Sequence, residues 1–341
     1  MSAARLRDLV ARFAGRTVVV VGDLIVDEYL FGRPARISRE APVLILRFTE
    51  REISLGGAAN AVNNVHALGT RVIPIGIVGR DPAGDELVGL LTAAGIQTDG
   101  IVVEERRRTP VKTRVMAGGY QATRQQVVRI DREPVTEPHP ATDDALVERV
   151  SALATRADAV IISDYGYGAV TARVLERLRA VARGAGAIVT VDSRYELPRF
   201  TGLTAATPNE AELEALAGLP VDDEASVEKA GRQLLERLDA RMLLVTRGSR
   251  GMALFERETF DGHGPSRSPG GSAFIPIHGT DEIADVTGAG DTVISTFTVA
   301  LAAGATPLEA ATLANVAGGL VVMKRGTATV AAAELAQALV S

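Results

Sequence analysis

Five short runs of Val, Ile and Leu, each closed by Gly, Asp, Ser or Thr, constrain the fold of this chain more than any other feature. Residues 17–21 (TVVVV) end in Gly22-Asp23, 71–78 (RVIPIGIV) in Gly79, and 159–162 (AVII) in Ser163-Asp164. Residues 187–191 (AIVTV) end in Asp192, and 242–245 (MLLV) in Thr246-Arg247-Gly248. A continuous apolar run of this length suits a parallel strand, because helices cover both of its faces. Between the runs lie stretches with helical or Ala-rich patterning, at 58–68, 85–94, 143–154, 172–185 and 210–217. Alternating strand and helix builds right-handed βαβ units. The expected class is therefore α/β, with a doubly wound, mostly parallel sheet flanked by helices. In such sheets ligands bind beyond the carboxyl ends of the strands, where the polar closing residues fall.

Two segments break the alternation. Residues 33–53 and 109–131 carry strand-like stretches, such as 43–48 and 111–116, with no helix partner. They read as a small separate β-sheet, a lid, in preference to two surface hairpins, because two excursions from one core can pair. Residues 257–272 are rich in Gly, Pro and Ser and are expected to form a loop. At roughly 150 residues per domain the length of 341 suggests two, but one large α/β domain holds as many. Residues 1–341 are taken as one domain.

Composition mainly excludes. Apolar residues make up 46% of the chain and aromatics 4%, with no Trp, so the core must be built from Ala, Val, Leu and Ile. The net charge of −5 offers no basic face for nucleic acid. The charged run at 104–108 reads as a solvated turn. With no cysteine, disulfides, thiolate chemistry and Cys-ligated metals are excluded. Residues 1–16 mix charges with apolar positions at helical spacing and lack a signal-peptide core. No uncharged apolar run reaches the ~20 residues that span a bilayer. A soluble, cytoplasmic protein is expected.

The strongest chemical signal is Asp285-Val-Thr-Gly-Ala-Gly-Asp291, followed by an apolar helical run at 292–303. Gly288, Ala289 and Gly290 let the backbone approach a ligand where a helix begins. Their N–H groups and the helix dipole would form an anion hole for a phosphoryl group. Asp291 in the first turn could take a proton from an attacking hydroxyl. The second signal, Leu55-Gly56-Gly57-Ala58-Ala59-Asn60, also opens a helix. Asn60 offers a donor and an acceptor, although a plain turn with Asn near an N-cap fits as well. Asp23 and Asp27 could accept from vicinal hydroxyls, or simply shape a turn. In Thr207-Pro-Asn-Glu-Ala-Glu212 the acidic first helical turn is either dipole complementation or a water-mediated hold on Mg²⁺. The turn 245–251, with Thr246, Gly248 and Gly251, could cradle nucleotide phosphates or be a hairpin into 252–255.

Absences narrow the field. There is no Gly-Lys dipeptide and hence no Walker A loop, no G-x-S-x-G elbow and no H-E-x-x-H. His66, His139, His263 and His278 show no ligand spacing and are expected at the surface. No Gly-rich dinucleotide turn follows the first run, which weakens a dehydrogenase reading.

Together these strings resemble the PfkB/ribokinase family of carbohydrate kinases. DVTGAGD and LGGAAN match its two signature regions, TPNEAE its N-x-x-E motif and GDLIVD its N-terminal sugar-binding strand. The similarity runs in order along nearly the whole chain. A narrower resemblance is to the D-glycero-β-D-manno-heptose-7-phosphate kinases, the kinase domain of the ADP-heptose synthesis enzyme. It rests on GDLIVDEY, on Arg36-Ile-Ser-Arg-Glu-Ala-Pro-Val43, on SDYGYG at 163–168 and on Lys324-Arg-Gly-Thr-Ala-Thr-Val330. Where those kinases carry lysines near Tyr167 and near Arg194, this chain has Tyr and a shifted Arg. The H-x-G-H nucleotidyltransferase domain of bifunctional relatives is not expected.

The resemblance implies MgATP-dependent phosphorylation of a sugar or sugar phosphate, with Asp291 as base. Asn209 and Glu212 would orient Mg²⁺ through water, and Asp27, Gly56, Gly57 and Asn60 would hold the sugar. Lys112 and Arg114, with Arg33 or Arg36, are candidates for a substrate phosphate. Thr246, Gly248, Gly251 and Asn315 would line the nucleotide site. Many relatives support the anion hole with a monovalent cation such as K⁺. An apolar lid sheet suggests a homodimer. A kinase for another sugar or a nucleoside, and a non-catalytic sugar- or nucleotide-binding protein, are the competing readings.

Overall fold

A computed structural model of the protein describes residues 2–118, 124–184, 187–257, 270–279, 285–324 and 326–339, with the backbone of 259–260 and 267–268. Parts of the expected 257–272 loop and of the second lid segment, together with His263 and Arg325, lie outside the described residues. The strands are β1 Thr17–Gly22, β2 Leu24–Ile37, β3 Leu44–Gly57, β4 Arg71–Gly79, β5 Ile101–Glu104, β6 Val111–Ala117, β7 Gln125–Arg132 and β8 Ala159–Asp164. They continue with β9 Ile188–Ser193, β10 Ala205–Ala206, β11 Met242–Thr246, β12 Met252–Glu256, β13 Thr259–Phe260, β14 Arg267–Ser268 and β15 Ser272–Ile275. The helices are α1 Ala3–Ala11, α2 Ala58–Ala67, α3 Pro82–Ala93, α4 Pro140–Leu153 and α5 Ala172–Arg183. After them come α6 Glu210–Ala217, α7 Glu224–Arg237, α8 Ala289–Ala302, α9 Pro307–Val321 and α10 Ala332–Ala338.

Nine strands form one sheet in the order β15-β12-β11-β10-β9-β8-β1-β4-β5. All pairs from β11 to β5 are parallel, and only β12 runs against its neighbours. Between β8 and β4 lies β1, whose Val18 to Val21 are fully buried. Successive strand residues face opposite sides. Val18 and Val20 therefore join a core with Val62, Phe297 and Ala314, and Val19 and Val21 join another with Leu146, Leu178 and Leu234. Helix α8 is buried from Asp291 to Leu301, its Thr and Ser side chains included. Among the described residues no helix is long and apolar enough to cross a membrane.

The second sheet has the order β3-β2-β6-β7. Here the structure corrects the expected boundary, because the excursion begins at Leu24 and not near residue 33. The chain leaves β1 through Asp23 and turns directly into a long hairpin pairing Leu24 with Gly57 and Ile37 with Leu44. Asp27 consequently sits on a lid strand. A second correction concerns the 104–108 run. Arg107 is buried and donates to the carbonyls of Thr136 and Tyr167, so this turn is a packed joint.

Candidate active site

The carboxyl edge of the large sheet and one face of the lid enclose a cavity of about 800 Å³, within the roughly 300–1,000 Å³ range of small-molecule sites. Two helices start beside it. Helix α8 begins at Gly288, with φ 77° and no side-chain cap. Helix α2 begins at Gly57, with φ 54°. Both positions lie where only glycine is comfortable. A Cβ on Gly288 would also stand 2.6 Å from Asn60 Nδ2, and one on Gly57 2.7 Å from the Asp23 carbonyl.

Asp291, the third residue of α8, is 4% exposed. Asn60 Nδ2 donates to its Oδ2 at 2.8 Å and the Tyr165 hydroxyl to its Oδ1 at 3.4 Å. Asn64 fixes the amide of Asn60 by donating to its Oδ1 at 3.2 Å, and Thr292 donates to Asn64 at 2.7 Å. Burial pushes the Asp291 carboxyl up to about 7; the Asn60 hydrogen bond opposes this and the charge of Asp27 adds to it. A carboxylate titrating near neutrality suits a general base. In the same turn the Ala289 N–H donates to the Val286 carbonyl at 3.2 Å. Of the expected anion-hole donors, those of Gly290 and Asp291 are without partners among the described residues.

The lid wall carries the other charges. Asp27 is buried and paired with Arg114 at 2.6 Å. Gly56 makes room for it, since a Cβ there would meet Asp27 Oδ2 at 2.7 Å. Lys112 lies 4.9 Å from the Tyr165 ring centroid and 6.0 Å from that of Tyr167. Burial lowers its pKa, and no carboxylate lies within ion-pair distance among the described residues. Arg129 also faces the cavity, held by Asp131 through two hydrogen bonds of 2.9 and 3.0 Å. Arg33 and Arg36 do not line the cavity. Asp23 turns away from it and accepts from the N–H groups of Tyr165, Tyr167 and Ala169, which is the turn-forming alternative for that residue.

On the opposite wall Asn209 caps α6, and Glu212 completes a capping box by accepting from the Asn209 N–H. The second oxygen of Glu212 takes Arg194 at 2.9 Å. Thr246, Gly248 and Gly251 line the same wall. Gly251 packs so closely that a Cβ would fall 2.0 Å from the Ile275 carbonyl. Asn315 is buried and donates to the Pro276 carbonyl at 2.7 Å, anchoring that edge. The Thr207 hydroxyl is buried against the cavity with no partner in the described structure.

Sequence reasoning did not single out Asp192, Tyr165, Arg129, Asn64 or Thr207 for the site. Asp192, at the end of β9, is pushed up to about 8 by burial and by the charges of Asp291 and Glu212. Its place at a strand's carboxyl end was a usable signal. The exposed His66 and His139 fit the surface reading, and the described residues hold no cluster of three or more metal-ligating side chains.

The model of the pfkB family carbohydrate kinases matches residues 16–334. Bifunctional protein HldE of Desulfatibacillum aliphaticivorans is 42% identical over 327 residues, 96% of this chain and 63% of that protein. The HldE of Geobacter sulfurreducens is 39% identical over 340 residues, 99% of this chain and 66% of that protein. The chain thus spans 63% and 66% of the length of these relatives. Among solved structures, Arabidopsis thaliana ribokinase complexed with ribose and ATP has a TM-score of 0.72 at 21% identity, covering 95% of this chain and 98% of that one. Escherichia coli phosphofructokinase-2 in complex with substrates and products reaches 0.76 at 19% identity with the same coverage. At such identity the likeness speaks to the fold, which is ribokinase-like, with a large mostly parallel sheet and a small second one. A family match unbroken from the first core strand into the last helix, on that fold, makes this chain a member of the pfkB family of carbohydrate kinases.

Proposed function

We propose that the protein transfers the γ-phosphoryl group of MgATP to the anomeric hydroxyl of D-glycero-D-manno-heptose 7-phosphate. The observation that carries a kinase reading is Asp291, held by Asn60 beneath the uncapped start of α8 and opening on a cavity. The hydroxyl gives its proton to the Asp291 carboxylate. Its oxygen bonds to the γ-phosphorus as the bond to the bridging oxygen breaks, and ADP leaves. The N–H groups of Gly290 and Asp291, unpartnered among the described residues at a helix start, stabilise charge on the transferring group. Most of the acceleration is then positioning and charge stabilisation.

The residues fit a nucleotide with its cation. Thr207 offers an orphaned hydroxyl, and Thr246, Gly248, Gly251 and Asn315 form a wall of close backbone approach. Both Glu212 oxygens are committed, which suits contact with Mg²⁺ through water and not direct ligation. Asp192, beside Asp291 and Glu212, holds on to its proton up to about 8, and a bound cation would favour its charged form. When bound, Mg²⁺ supplies neutralisation of phosphate charge. A potassium complex exists for Escherichia coli phosphofructokinase-2, so K⁺ belongs in the assay buffer.

For the acceptor, Lys112, with no carboxylate in ion-pair distance among the described residues and with Arg114 and Arg129 on the same cavity wall, suits an anionic substrate. The resemblance to heptose-phosphate kinases and the HldE relatives favour the heptose phosphate among such substrates. We read residues 1–341 as one cytoplasmic kinase domain. The lid leaves Ile37, Phe48, Val127 and Ile130 more than half exposed, which favours a homodimer.

The test is ADP release with MgATP against heptose 7-phosphate, ribose, fructose, fructose phosphates and adenosine. Turnover confined to heptose 7-phosphate supports the proposal. Turnover with a neutral sugar removes the phosphate clamp and keeps Asp291 as base. No sugar-dependent turnover leaves a binding protein on a kinase scaffold.

A further inference from the structure

We propose that Tyr165 is a positioning residue for Asp291, held in place by a clamp in which Asp23 and Arg107 grip the loop that carries it. This rests on Asp291 being the base. The loop joins β8 to α5. Its N–H groups at Tyr165 and Tyr167 donate to Asp23 Oδ2 at 2.8 and 3.0 Å, and the one at Ala169 to Oδ1 at 2.9 Å. Gly166 and Gly168, with φ of 77° and 88°, allow the alternating turn. From the other side Arg107 donates to the Tyr167 carbonyl and to Thr136. Asp23 is 3% exposed and Arg107 6%. Burying a carboxylate and a guanidinium on main-chain partners is an expensive way to make a turn.

What the clamp delivers is the Tyr165 phenol, 3.4 Å from Asp291 Oδ1. The half-buried ring lines the cavity, and Lys112 lies against its face at 4.9 Å. Burial first, and the charge of Asp291 next, keep the phenol protonated far above its ordinary range, so it donates. Asn60 reaches one carboxylate oxygen and Tyr165 the other. One donor alone leaves the carboxyl group free to rotate, whereas two fix its plane. The other titratable groups facing Asp291 are Asp27 from β2, Lys112 from β6 and Asp192 from β9.

The experiment is Tyr165→Phe in the full chain, with the acceptor that wild type turns over. The expected result is an unchanged melting temperature, an unchanged KM for ATP and a kcat lower by about tenfold. The acid limb of the kcat profile should move up by roughly one pH unit, because a donor that favoured the carboxylate is gone. Asp23→Asn sets an amide N–H against main-chain N–H groups. It should lower kcat with a shift of the same sign, and add little once Tyr165→Phe is present. Should Asp23→Asn fail to fold, Tyr165→Phe still decides. Carbon-13 titration of the Asp291 carboxyl in wild type and Tyr165→Phe reads the same shift with no acceptor present. An unmoved titration overturns the positioning role, whatever the assay gives. Absent turnover in wild type alongside a moved titration overturns the kinase reading only.

Discussion

Helices α6 and α8 both begin at the cavity, and they begin in opposite ways. In α6, Asn209 Oδ1 accepts the N–H of Glu212 at 2.9 Å, and Glu212 Oε2 accepts that of Asn209 at 3.0 Å. Each satisfies a donor that a helix start otherwise leaves open. In α8 the cap is Gly288, which has no side chain to do this, and the N–H groups of Gly290 and Asp291 stay unpartnered among the described residues. A self-capped start is stable and spends its donors internally. A glycine start keeps them for an incoming anion, and its stability comes from burial of the helix body, here complete from Asp291 to Leu301. The second carboxylates differ too. Glu212 is drawn to Arg194, while Asp291 meets only neutral donors and is pushed up to about 7.

The contrast breaks most sharply at Asp291. Asp291→Asn should lower kcat by about 10²–10⁴-fold with nucleotide binding kept, measured by ADP release and by calorimetry with ATP. In the wild type, kcat should fall as pH drops through about 7, because the base form is lost as the carboxyl protonates. A variant near wild-type rate would end the base assignment. The next effect is at the cap. Gly288→Ala drives a Cβ into Asn60 Nδ2 and strains a left-handed residue. A loss of roughly 10²-fold in kcat is expected, comparable with misplacing a catalytic group by about an ångström. Retained rate would mean that the start of α8 tolerates a side chain as α6 does. The smallest effect belongs to α6. Asn209→Ala should cost about 1 kcal/mol of stability, the typical value for a lost cap, read by denaturant unfolding, and reduce kcat far less than Gly288→Ala. A larger activity loss than stability loss would give Asn209 a direct role at the nucleotide.

Much of this was legible in the sequence, for physical reasons. Apolar runs with polar ends report parallel strands, because burial on both faces demands them, and Val18 to Val21 are the clearest case. The string 285–291 marks a helix start by its glycines and its following apolar run, and α8 begins at Ala289. The lid boundary was misread because residues 24–26 (LIV) look like more core strand. In the fold they are the buried root of a lid strand pairing with 55–57. Arg107 was misread because a charge run carries no mark of which member finds carbonyl partners.

The amino-acid order by itself determined the α/β class, the glycine helix starts and the candidate base, since these follow from local conformation and from periodic burial. Only the tertiary structure decided what surrounds that base. Asn60 is 231 residues away in the chain from Asp291, and Tyr165 is 126 away. The first contact arises because α2 packs along α8, and the second because α8 packs across β8 and β9, with Tyr165 just past the carboxyl end of β8. The raised affinity of Asp291 and Asp192 for protons is decided there too, because desolvation and neighbouring charge are properties of packing in space, invisible to spacing along the chain.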